Sequence, residues 1–306
     1  MIIISWNCRG LSNLSAVSNL RHIDQKHRPD VIFLSETLAT ARRLEALRVS
    51  LKFDSCLAID VEGRSGGLAV LWQNKIKCSV FNYSRNFINL EIEDEVRGNW
   101  RLTCYYGFPE RNRRHLAWDM LRALRDMSSD PWCIIGDFND LMSQEDKRGL
   151  HPHPNSLCNG FCSAVEDCGL SDINIKGHRF TWARSRGTPN MVEEQLDRAM
   201  ANLSWLGRFP NVELLNILAS HLDHTPILLN CDLASSNKRT YSFKFENQWL
   251  LEEDIKETIS IGWNTSSNAE LGDKLNSCAG ELKRWSRGKR TRFKEDVKAC
   301  EDAIEG

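Results

Sequence analysis

The stretch "PWCIIGDFND", residues 131–140, combines an apolar run with two polar groups at its end. The run "WCII" is typical of a buried core strand, and Gly136 ends it. Asp137 and Asn139 follow, two positions apart. An Asx turn is one explanation of this pair, because Asp side chains often bond the backbone two residues on. The other explanation is a site on a rigid element, with charge available for a metal or a phosphate.

The bulk composition describes a globular chain without a strong charge bias. Its 306 residues include 40 Lys and Arg against 41 Asp and Glu, for a net charge of -1. This balance excludes broad nonspecific attraction to DNA, so any nucleic-acid affinity must come from local patches. No apolar stretch is long enough for a membrane span, and the first residues lack the basic region of a signal peptide. We therefore expect an intracellular protein with no membrane partner.

The eleven cysteines lie in apolar contexts such as "LTCYYG" and "VEDCGL", and they form no Cys-x-x-Cys pair. Cys158 and Cys162 have no partner pair at the spacing of a zinc site. This pattern favours reduced thiols in the core of an intracellular protein over a disulfide framework.

Residues 1–231 alternate strand-like and helix-like segments. The strand-like segments are short and rich in Ile, Val, Leu and aromatic residues, as in "DVIFLSE", "GLAVLW" and "RLTCYYG". About ten strands with interspersed helices are too many for one open sheet, so we expect two packed sheets with helices outside. The helices are predicted over residues 14–27, 38–51, 111–128, 156–168 and 193–206.

The composition changes after residue 231. Residues 232–240, "DLASSNKRT", are typical of a linker, and residues 241–306 are predicted to form a charged helical extension. Within that extension, the segment from Lys283 to Lys294 holds seven basic residues, two aromatic residues and no acid. A helix that faces nucleic acid is one interpretation of this segment, and a solvated helix face is the other.

Chemically competent side chains stand at the ends of several predicted strands. Asn7 follows "IIISW", Glu36 follows "DVIFLS", and Tyr106 ends "RLTCYY". Asp223 and His224 lie in "ASHLDHTP", between two apolar runs. Each of these alone would be an ordinary loop residue, but together with the Asp-x-Asn pair they indicate a metal-assisted site.

The residue types in this set suit the hydrolysis of a phosphodiester. Mg²⁺ prefers oxygen ligands, usually one or two carboxylates with waters and phosphate oxygens, and Glu36, Asp137 and Asp223 are the candidates. The reaction also needs a base for the attacking water and stabilisation of charge on phosphorus. A histidine can act near neutral pH when a carboxylate orients its other ring nitrogen, and Asp197 is the candidate partner of His224.

Eight segments together resemble one known family. In chain order they are "ISWNCRGL", "PDVIFLSET", "GGLAVLW", "YYGFPE", "GDFND", "RFTWAR", "EEQLDRAMAN" and "LDHTPILL". The ordered set resembles the exonuclease–endonuclease–phosphatase superfamily, and "WNCRGL", "FTW" and "LDRAMAN" look most like the endonuclease domain of plant-type non-LTR retrotransposons. The resemblance covers about residues 1–231, and "YSFKFENQW" onward resembles the connector that precedes a reverse transcriptase. Any single motif is weak evidence, whereas the ordered set is specific.

The resemblance implies an α/β fold: a deoxyribonuclease-like, two-sheet α/β sandwich flanked by helices, with a C-terminal helical extension and the site at one edge of the sheets. Residues 1–231 would be the catalytic domain. In that site Glu36 would bind Mg²⁺ and Asp223 would complete the metal shell. Asn7 would bond the metal-site carboxylates or the phosphate. Tyr106 would bond the phosphate or assist the leaving oxygen.

The resemblance also implies roles around the attacking water. Asp137 would orient or deprotonate that water, and Asn139 would hold the water or the phosphate. His224, oriented by Asp197, would stabilise the pentacovalent phosphorus.

Two positions depart from the superfamily's pattern. The usual Ser-Asp-His triplet begins with Leu222 here, so a hydroxyl group beside the site is lost. Arg9 stands where repair-type apurinic endonucleases often have Asp or Asn. The second departure favours the retroelement branch over the repair branch.

The leading hypothesis from the sequence is a Mg²⁺-dependent endonuclease, with Mn²⁺ as a substitute metal, that nicks DNA and leaves a 3′-hydroxyl. Its partner would be DNA, with other retroelement proteins or RNA as further candidates, and we expect a monomer that works in the nucleus if its target is chromosomal DNA. Two alternatives stay open. One is an apurinic endonuclease or a phosphomonoesterase of the same superfamily, and the other is a catalytically inactive retroelement remnant.

Overall fold

The chain divides into two compact units, Met1–Ser235 and Ser236–Gly306. The computed structural model describes residues 1–11, 14–61, 66–217, 223–231, 249–250, 252–264, 274–275, 277–286 and 288–289. The predicted linker at 232–240 lies outside the described residues. The predicted boundaries of the catalytic domain and the connector-like extension stay predictions.

Short strands dominate the first unit, as the sequence predicted. In chain order they are β1 (Ile2–Asn7), β2 (Val31–Ser35), β3 (Ser55–Ile59), β4 (Leu68–Trp72), β5 (Lys77–Tyr83), β6 (Phe87–Glu93), β7 (Trp100–Tyr106), β8 (Trp132–Asp137), β9 (Lys147–Arg148), β10 (Leu170–Asp172), β11 (Ile175–Lys176), β12 (Trp182–Arg184), β13 (Val192–Glu194), β14 (Asp197–Asn202), β15 (Glu213–Asn216) and β16 (Ile227–Asn230). The helices of this unit are α1 (Leu14–His27), α2 (Ala41–Leu51), α3 (Arg114–Asp126), α4 (Asn155–Asp167) and α5 (Leu203–Arg208).

Within the described residues, the strands form two large sheets and a small one. The first sheet has the order β11-β15-β16-β1-β2-β4-β3, the second has the order β10-β14-β8-β7-β6-β5, and β12, β13 and β9 form the small sheet. Both large sheets are mixed, since β1 is parallel to β2 but antiparallel to β16, and β8 is parallel to β7 but antiparallel to β14. The expected α/β architecture with two large sheets is confirmed.

The main core lies between the two large sheets. Ile3 and Phe33 from the first sheet share one buried apolar cluster with Leu102 and Ile135 from the second. Successive residues of a strand point to opposite faces of its sheet. The neighbouring residues therefore face outward and need a second layer to cover them.

Helices supply that outer layer on both sides of the sandwich. Ile4 and Trp6 of β1 share a cluster with Leu20 of α1 and Leu44 of α2. On the other sheet, Trp132 and Ile134 of β8 share a cluster with Leu121 and Leu124 of α3 and Phe161 of α4. Because the central strands are covered on both faces, they read as nearly continuous apolar runs in the sequence, whereas the edge strand β5 alternates exposed and half-buried residues.

One predicted helix is wrong. Residues 193–206 were expected to be helical, but the chain there forms the end of β13, then β14, and only afterwards the short helix α5. β14 pairs with β8 on one side and with β10 on the other, and most of its side chains are buried. The Ala and Met residues of "AMAN" favour helices, and this preference misled the prediction, but pairing with strands on both sides outweighs it.

The second unit is helical where it is described. Helix α6 covers Ile255–Asn264, and a further helical segment covers residues 277–286. The predicted C-terminal helical extension is confirmed, although residues 290–294 of its basic segment lie outside the described residues. No described helix combines the length and the apolar character needed to cross a bilayer.

Candidate active site

Four polar side chains reach one edge of the sandwich because of strand register. Asn7 ends β1, Tyr106 ends β7, Asp137 ends β8 and Asp197 begins β14. In the second sheet Asp137 lies opposite Tyr106 on one side and opposite Asp197 on the other. Asp137 is two residues beyond Ile135, which lies in the core between the sheets, so its side chain points to that same inner face. At this edge of the sandwich, the residues on the inner faces of the two large sheets are polar instead of apolar, and they form the candidate site.

Asn7 joins the two sheets at this edge. Its Nδ2 donates to Glu36 Oε1 at 2.8 Å and to Asp137 Oδ2 at 2.9 Å. The hydroxyl of Tyr106 also donates to Glu36 Oε1, at 2.8 Å, whereas the Tyr105 hydroxyl points to the opposite face and donates to the Ala117 carbonyl. As expected from strand alternation, one tyrosine of the pair faces the site.

The Asx turn expected at the Asp-x-Asn pair is present. The backbone N–H of Asn139 donates to Asp137 Oδ1 at 2.8 Å, which makes an Asx turn and leaves Oδ2 to face the site. Asn139 adopts a left-handed φ of 54°, which Asn tolerates better than most residues. Gly136 is required just before, because a Cβ there would lie 1.8 Å from the Tyr105 carbonyl oxygen. The turn therefore aims the carboxylate of Asp137.

His224 and Asp197 form a hydrogen-bonded pair beside Asp137. His224 Nδ1 lies 3.0 Å from Asp197 Oδ2, and His224 Nε2 lies 3.9 Å from Asp137 Oδ2. The backbone of His224 is held by a β-bridge to Trp182 and by a hydrogen bond from Trp6 Nε1 to its carbonyl, 3.3 Å long. The pairing of Asp197 with His224 that the sequence suggested is present in the structure.

Burial and neighbouring charges shift the ionisation of three groups. Burial, reinforced by the nearby Asp197 carboxylate, raises the pKa of Asp137 to about 6. Burial opposes charge on His224, but the carboxylates of Asp197, Asp137 and Glu36 outweigh that effect and raise its pKa. Burial, with the same acidic surroundings, raises the pKa of Tyr106, so its hydroxyl stays a donor. A carboxylate, an imidazole and a phenol hydroxyl with shifted pKa values thus lie close together at this edge.

Asp223 and Arg9 complete the open side of the site. The Asp223 side chain is half exposed, and its Oδ2 lies 2.5 Å from Nη1 of Arg9. Arg9 Nε lies 3.5 Å from Glu36 Oε2, so one guanidinium contacts both carboxylates. Burial opposes the charge of Arg9, but these two carboxylates outweigh it and raise its pKa.

The donor set fits a divalent cation. Asp137, Asp197 and His224 are buried, and each offers a ligand atom within 4.8 Å of the others. Asp197 Oδ1 is a buried oxygen for which no hydrogen-bond partner exists within the described part of the chain. Because His224 Nδ1 is engaged with Asp197, the carboxylates on the open side of the site, Glu36 and Asp223, suit a hard ion such as Mg²⁺ better than this buried trio does.

The eight residues predicted from sequence differ in how they reach the site. Six of them contact one another directly: Asn7, Glu36, Tyr106, Asp137, Asp197 and His224. Asn139 acts through the turn, and its side-chain Nδ2 donates to the Gly107 carbonyl at 3.1 Å. Asp223 reaches Glu36 through Arg9. Leu222, the departure from the usual triplet, lies outside the described residues.

Thr181 is a supporting residue that sequence reasoning missed. Its buried hydroxyl accepts the backbone N–H groups of Asp197 at 2.9 Å and Leu196 at 3.1 Å. The Thr181 carbonyl in turn accepts the backbone N–H of Thr225, next to His224. One residue therefore fixes the backbone on both sides of the Asp197–His224 pair. The motif "FTW" marked this segment, but its spacing alone did not show what the threonine holds.

A family model confirms the assignment that the geometry suggests. The model of the Endonuclease/Exonuclease/phosphatase family matches residues 4–214, more than half of the chain. The chain belongs to this family. The matched region contains β1 to β8 and β14, and therefore six of the eight predicted site residues; Asp223 and His224 lie beyond it.

Solved structures of this family share the fold at low sequence identity. The endonuclease domain of TRAS1, a telomere-specific non-LTR retrotransposon, is 14% identical with a TM-score of 0.57, and the match covers 76% of this chain and 99% of that one. The Neisseria 3′ phosphatase NExo, bound to a product DNA hairpin, is 15% identical, with a TM-score of 0.57 and coverages of 76% and 99%. The AP endonuclease LMAP from Leishmania major is 14% identical, with a TM-score of 0.56 and coverages of 74% and 86%.

None of the curated proteins matches the chain. The solved structures establish the fold of this chain. The Endonuclease/Exonuclease/phosphatase family as a whole comprises hydrolytic nucleases and phosphatases.

Proposed function

We propose that this chain is a Mg²⁺-dependent endonuclease that nicks one strand of DNA by water attack on phosphorus and leaves a 3′-hydroxyl. The observation that carries the proposal is the convergence of Asp137 with the His224–Asp197 pair, 3.9 Å from imidazole to carboxylate, beside Glu36. A carboxylate near its pKa and an imidazole that face one point can serve as base and charge donor for a single reacting group.

Glu36 and Asp223 would hold Mg²⁺, with Mn²⁺ as a substitute. When bound, the ion supplies positive charge to the phosphate oxygens and to the departing oxygen. Asn7 orients the carboxylates of Glu36 and Asp137 by donating one hydrogen bond to each. The side chain of Asn7 thus sets the distance between Glu36, which would hold the metal, and Asp137, which would activate the water.

Asp137 is the proposed general base. Its pKa of about 6 leaves it largely ionised at neutral pH yet able to accept a proton from the attacking water. His224, whose pKa the neighbouring carboxylates raise against the effect of burial, faces the same point and would stabilise negative charge on phosphorus. Tyr106 stays protonated, so its hydroxyl can donate to the phosphate or the leaving oxygen.

The choice of DNA as substrate is supported by the structural relatives. One is described as a retrotransposon endonuclease domain, one as a phosphatase bound to a DNA product, and one as an AP endonuclease. The retroelement-like motifs of this chain favour the first activity, and a nuclear location would follow from a chromosomal target. We propose a monomer, with RNA or other retroelement proteins as further partners of the C-terminal extension.

A plasmid assay tests the proposal. The full chain is incubated with supercoiled plasmid across a Mg²⁺ titration, and conversion to the open circle is followed. Asp137→Ala and His224→Ala should abolish nicking, whereas matched changes at the exposed residues Asp126→Ala and His115→Ala should leave the rate unchanged. Nicked product that a DNA polymerase extends without prior end repair would verify the 3′-hydroxyl.

A panel of other substrates separates the alternatives. Cleavage of an abasic duplex but not of intact DNA would move the assignment to an apurinic endonuclease. Phosphate release from a 3′-phosphorylated oligonucleotide without nicking would move it to a phosphomonoesterase. If the wild type nicks no faster than Asp137→Ala and leaves every substrate of the panel intact, the enzymatic reading fails and the chain is an inactive remnant.

A further inference from the structure

Arg9 lies where the two large-sheet strands β1 and β2 end side by side. Backbone hydrogen bonds continue beyond the strands, from Cys8 N to the Ser35 carbonyl and from Gly10 N to the Glu36 carbonyl, at 3.0 and 2.8 Å. Arg9 and Glu36 both adopt a left-handed backbone, with φ of 43° and 49°. These contacts fix the main chain of Arg9 next to Glu36, so the position of its side chain at the site is set by the fold.

The guanidinium of Arg9 contacts the oxygens that a cation would use. Glu36 Oε1 already accepts from Asn7 and Tyr106, while Glu36 Oε2 faces Arg9 Nε at 3.5 Å. Asp223 Oδ2 lies 2.5 Å from Arg9 Nη1. The positive charge of Arg9 therefore sits between the two carboxylates that are the candidate metal ligands.

The ion pair between Arg9 and Asp223 can open at little cost. The side chains of Arg9 and Asp223 are each 50% exposed, and half-exposed ion pairs are weak because water and salt screen them. A guanidinium held in this way can move into solvent, because Arg9 and Asp223 are both half exposed. The carboxylates are thereby kept close together until a stronger cation arrives.

We propose that Arg9 is a built-in counter-cation that occupies the metal position between Glu36 and Asp223 and must release both carboxylates when a divalent ion binds. This inference rests on the metal site of the proposed function and goes beyond it. Its consequence is that Arg9 lowers the metal affinity of the site, so that the free chain binds the ion weakly.

The test measures metal binding directly, with no substrate present. The melting temperature of the full chain is recorded over a titration of MnCl₂ and of MgCl₂ for the wild type and for Arg9→Gln. The midpoint of each titration is the metal concentration at which the melting temperature has risen by a fixed amount, the same for all variants. Binding of a divalent ion would break the two partly exposed ion pairs of Arg9, which are weak, so the midpoint for Arg9→Gln should fall by about tenfold. In chelator, the same variant should melt below the wild type, because its carboxylates lose their cation.

Three further variants control the measurement. Arg9→Asn also removes the charge and tolerates the left-handed backbone, so it should shift the midpoint in the same direction. Arg9→Lys keeps the charge and should stay near the wild type. Arg122→Gln removes a surface arginine that also pairs with two carboxylates, Asp119 and Asp167, and should leave the metal midpoint unchanged.

The outcomes separate this inference from the proposed function. A midpoint for Arg9→Gln and Arg9→Asn that equals or exceeds that of the wild type, while the wild type binds metal, overturns the role of Arg9 and leaves the metal site standing. A wild type that shows no stabilisation by either metal overturns the metal site and, with it, this inference.

Discussion

Two buried clusters of charged side chains share strand β14 and differ in how well their charges balance. On the inner face of the strand, Asp197 joins Asp137 and His224. The next residue, Arg198, points the other way and binds Asp146 and Asp172 at 2.5 and 2.7 Å. Adjacent residues of one strand thus belong to two separate networks, one on each face of the sheet.

The Arg198 cluster is balanced and the Asp137 cluster is not. Arg198 and Arg179 bring two positive charges to the carboxylates of Asp146 and Asp172. On the inner face, two buried carboxylates share a single histidine. A buried charge without a partner is costly, so a chain keeps such an arrangement where a cation or a reacting group is to be bound. The comparison supports a structural role for the Arg198 network and the proposed functional role for the Asp137 cluster.

The largest effect should be on activity, from Asp137→Asn. Removing the proposed base should lower the nicking rate by about 10³-fold, within the range of general base catalysis. Stability in the presence of chelator should stay the same or rise, because the change removes a buried and poorly compensated charge. Plasmid nicking and urea unfolding measure the two quantities. A variant that unfolds more easily and retains activity would show that Asp137 contributes to stability and not to catalysis.

Arg198→Ala should show the reverse pattern. It leaves Asp146 and Asp172 buried with less compensation, and breaking such a network costs about 3–5 kcal/mol of unfolding free energy. The exposed pair of Arg122 and Asp167 provides the control, since Arg122→Ala should cost at most about 1 kcal/mol. Urea unfolding of both variants checks this. Equal and small losses would show that the two arginines contribute alike.

Metal should stabilise the inner cluster and leave the outer one unaffected. At a metal concentration of about 100 times Kd, mass action adds about 2.7 kcal/mol to the unfolding free energy. Glu36→Gln should remove most of this gain. Glu194→Gln is the matched control, because Glu194 is similarly buried and also pairs with a cation, Lys147. Thermal melts with Mn²⁺ or Mg²⁺ distinguish the two variants, and a loss of the gain in both would argue against a local site.

The last prediction concerns pH in the absence of metal. The pKa of Asp137 is about 6 in the folded chain against an ordinary value of 3.8, so between these values the folded state holds a proton that the unfolded state has released. Stability should therefore fall as pH rises through this window. The raised pKa of His224 acts in the same direction at higher pH. Urea unfolding in chelator should show a steeper fall for the wild type than for Asp137→Asn.

Most of the site could be predicted because it follows strand ends. Asn7, Tyr106 and Asp137 each end an apolar run, and Glu36 follows one directly. An apolar run that stops at a polar residue therefore indicated their positions. The ordered motifs then indicated which of these ends belong together. The architecture of two sheets followed from the number and the apolar character of the same segments.

The remaining features depend on pairing between distant segments. The expected helix at 193–206 is wrong because β14 takes its conformation from β8 and β10, not from its own residues. The network of Arg198 with Asp146 and Asp172 has no motif, since its members come from separate parts of the chain. The placement of Arg9 between two carboxylates likewise depends on how three loops approach one another, which local sequence does not encode.

The direct opposition of Asp137 and Asp197 across β8 and β14 has an evolutionary consequence. A deletion or insertion of one residue inside β14 would exchange the faces of the strand, sending Asp197 outward and Arg198 into the pocket. One such event would disrupt both clusters in a single step, although every chemical group would still be present. Lineages that keep the reaction should therefore accept length changes in the surface loops and reject them within this pair of strands.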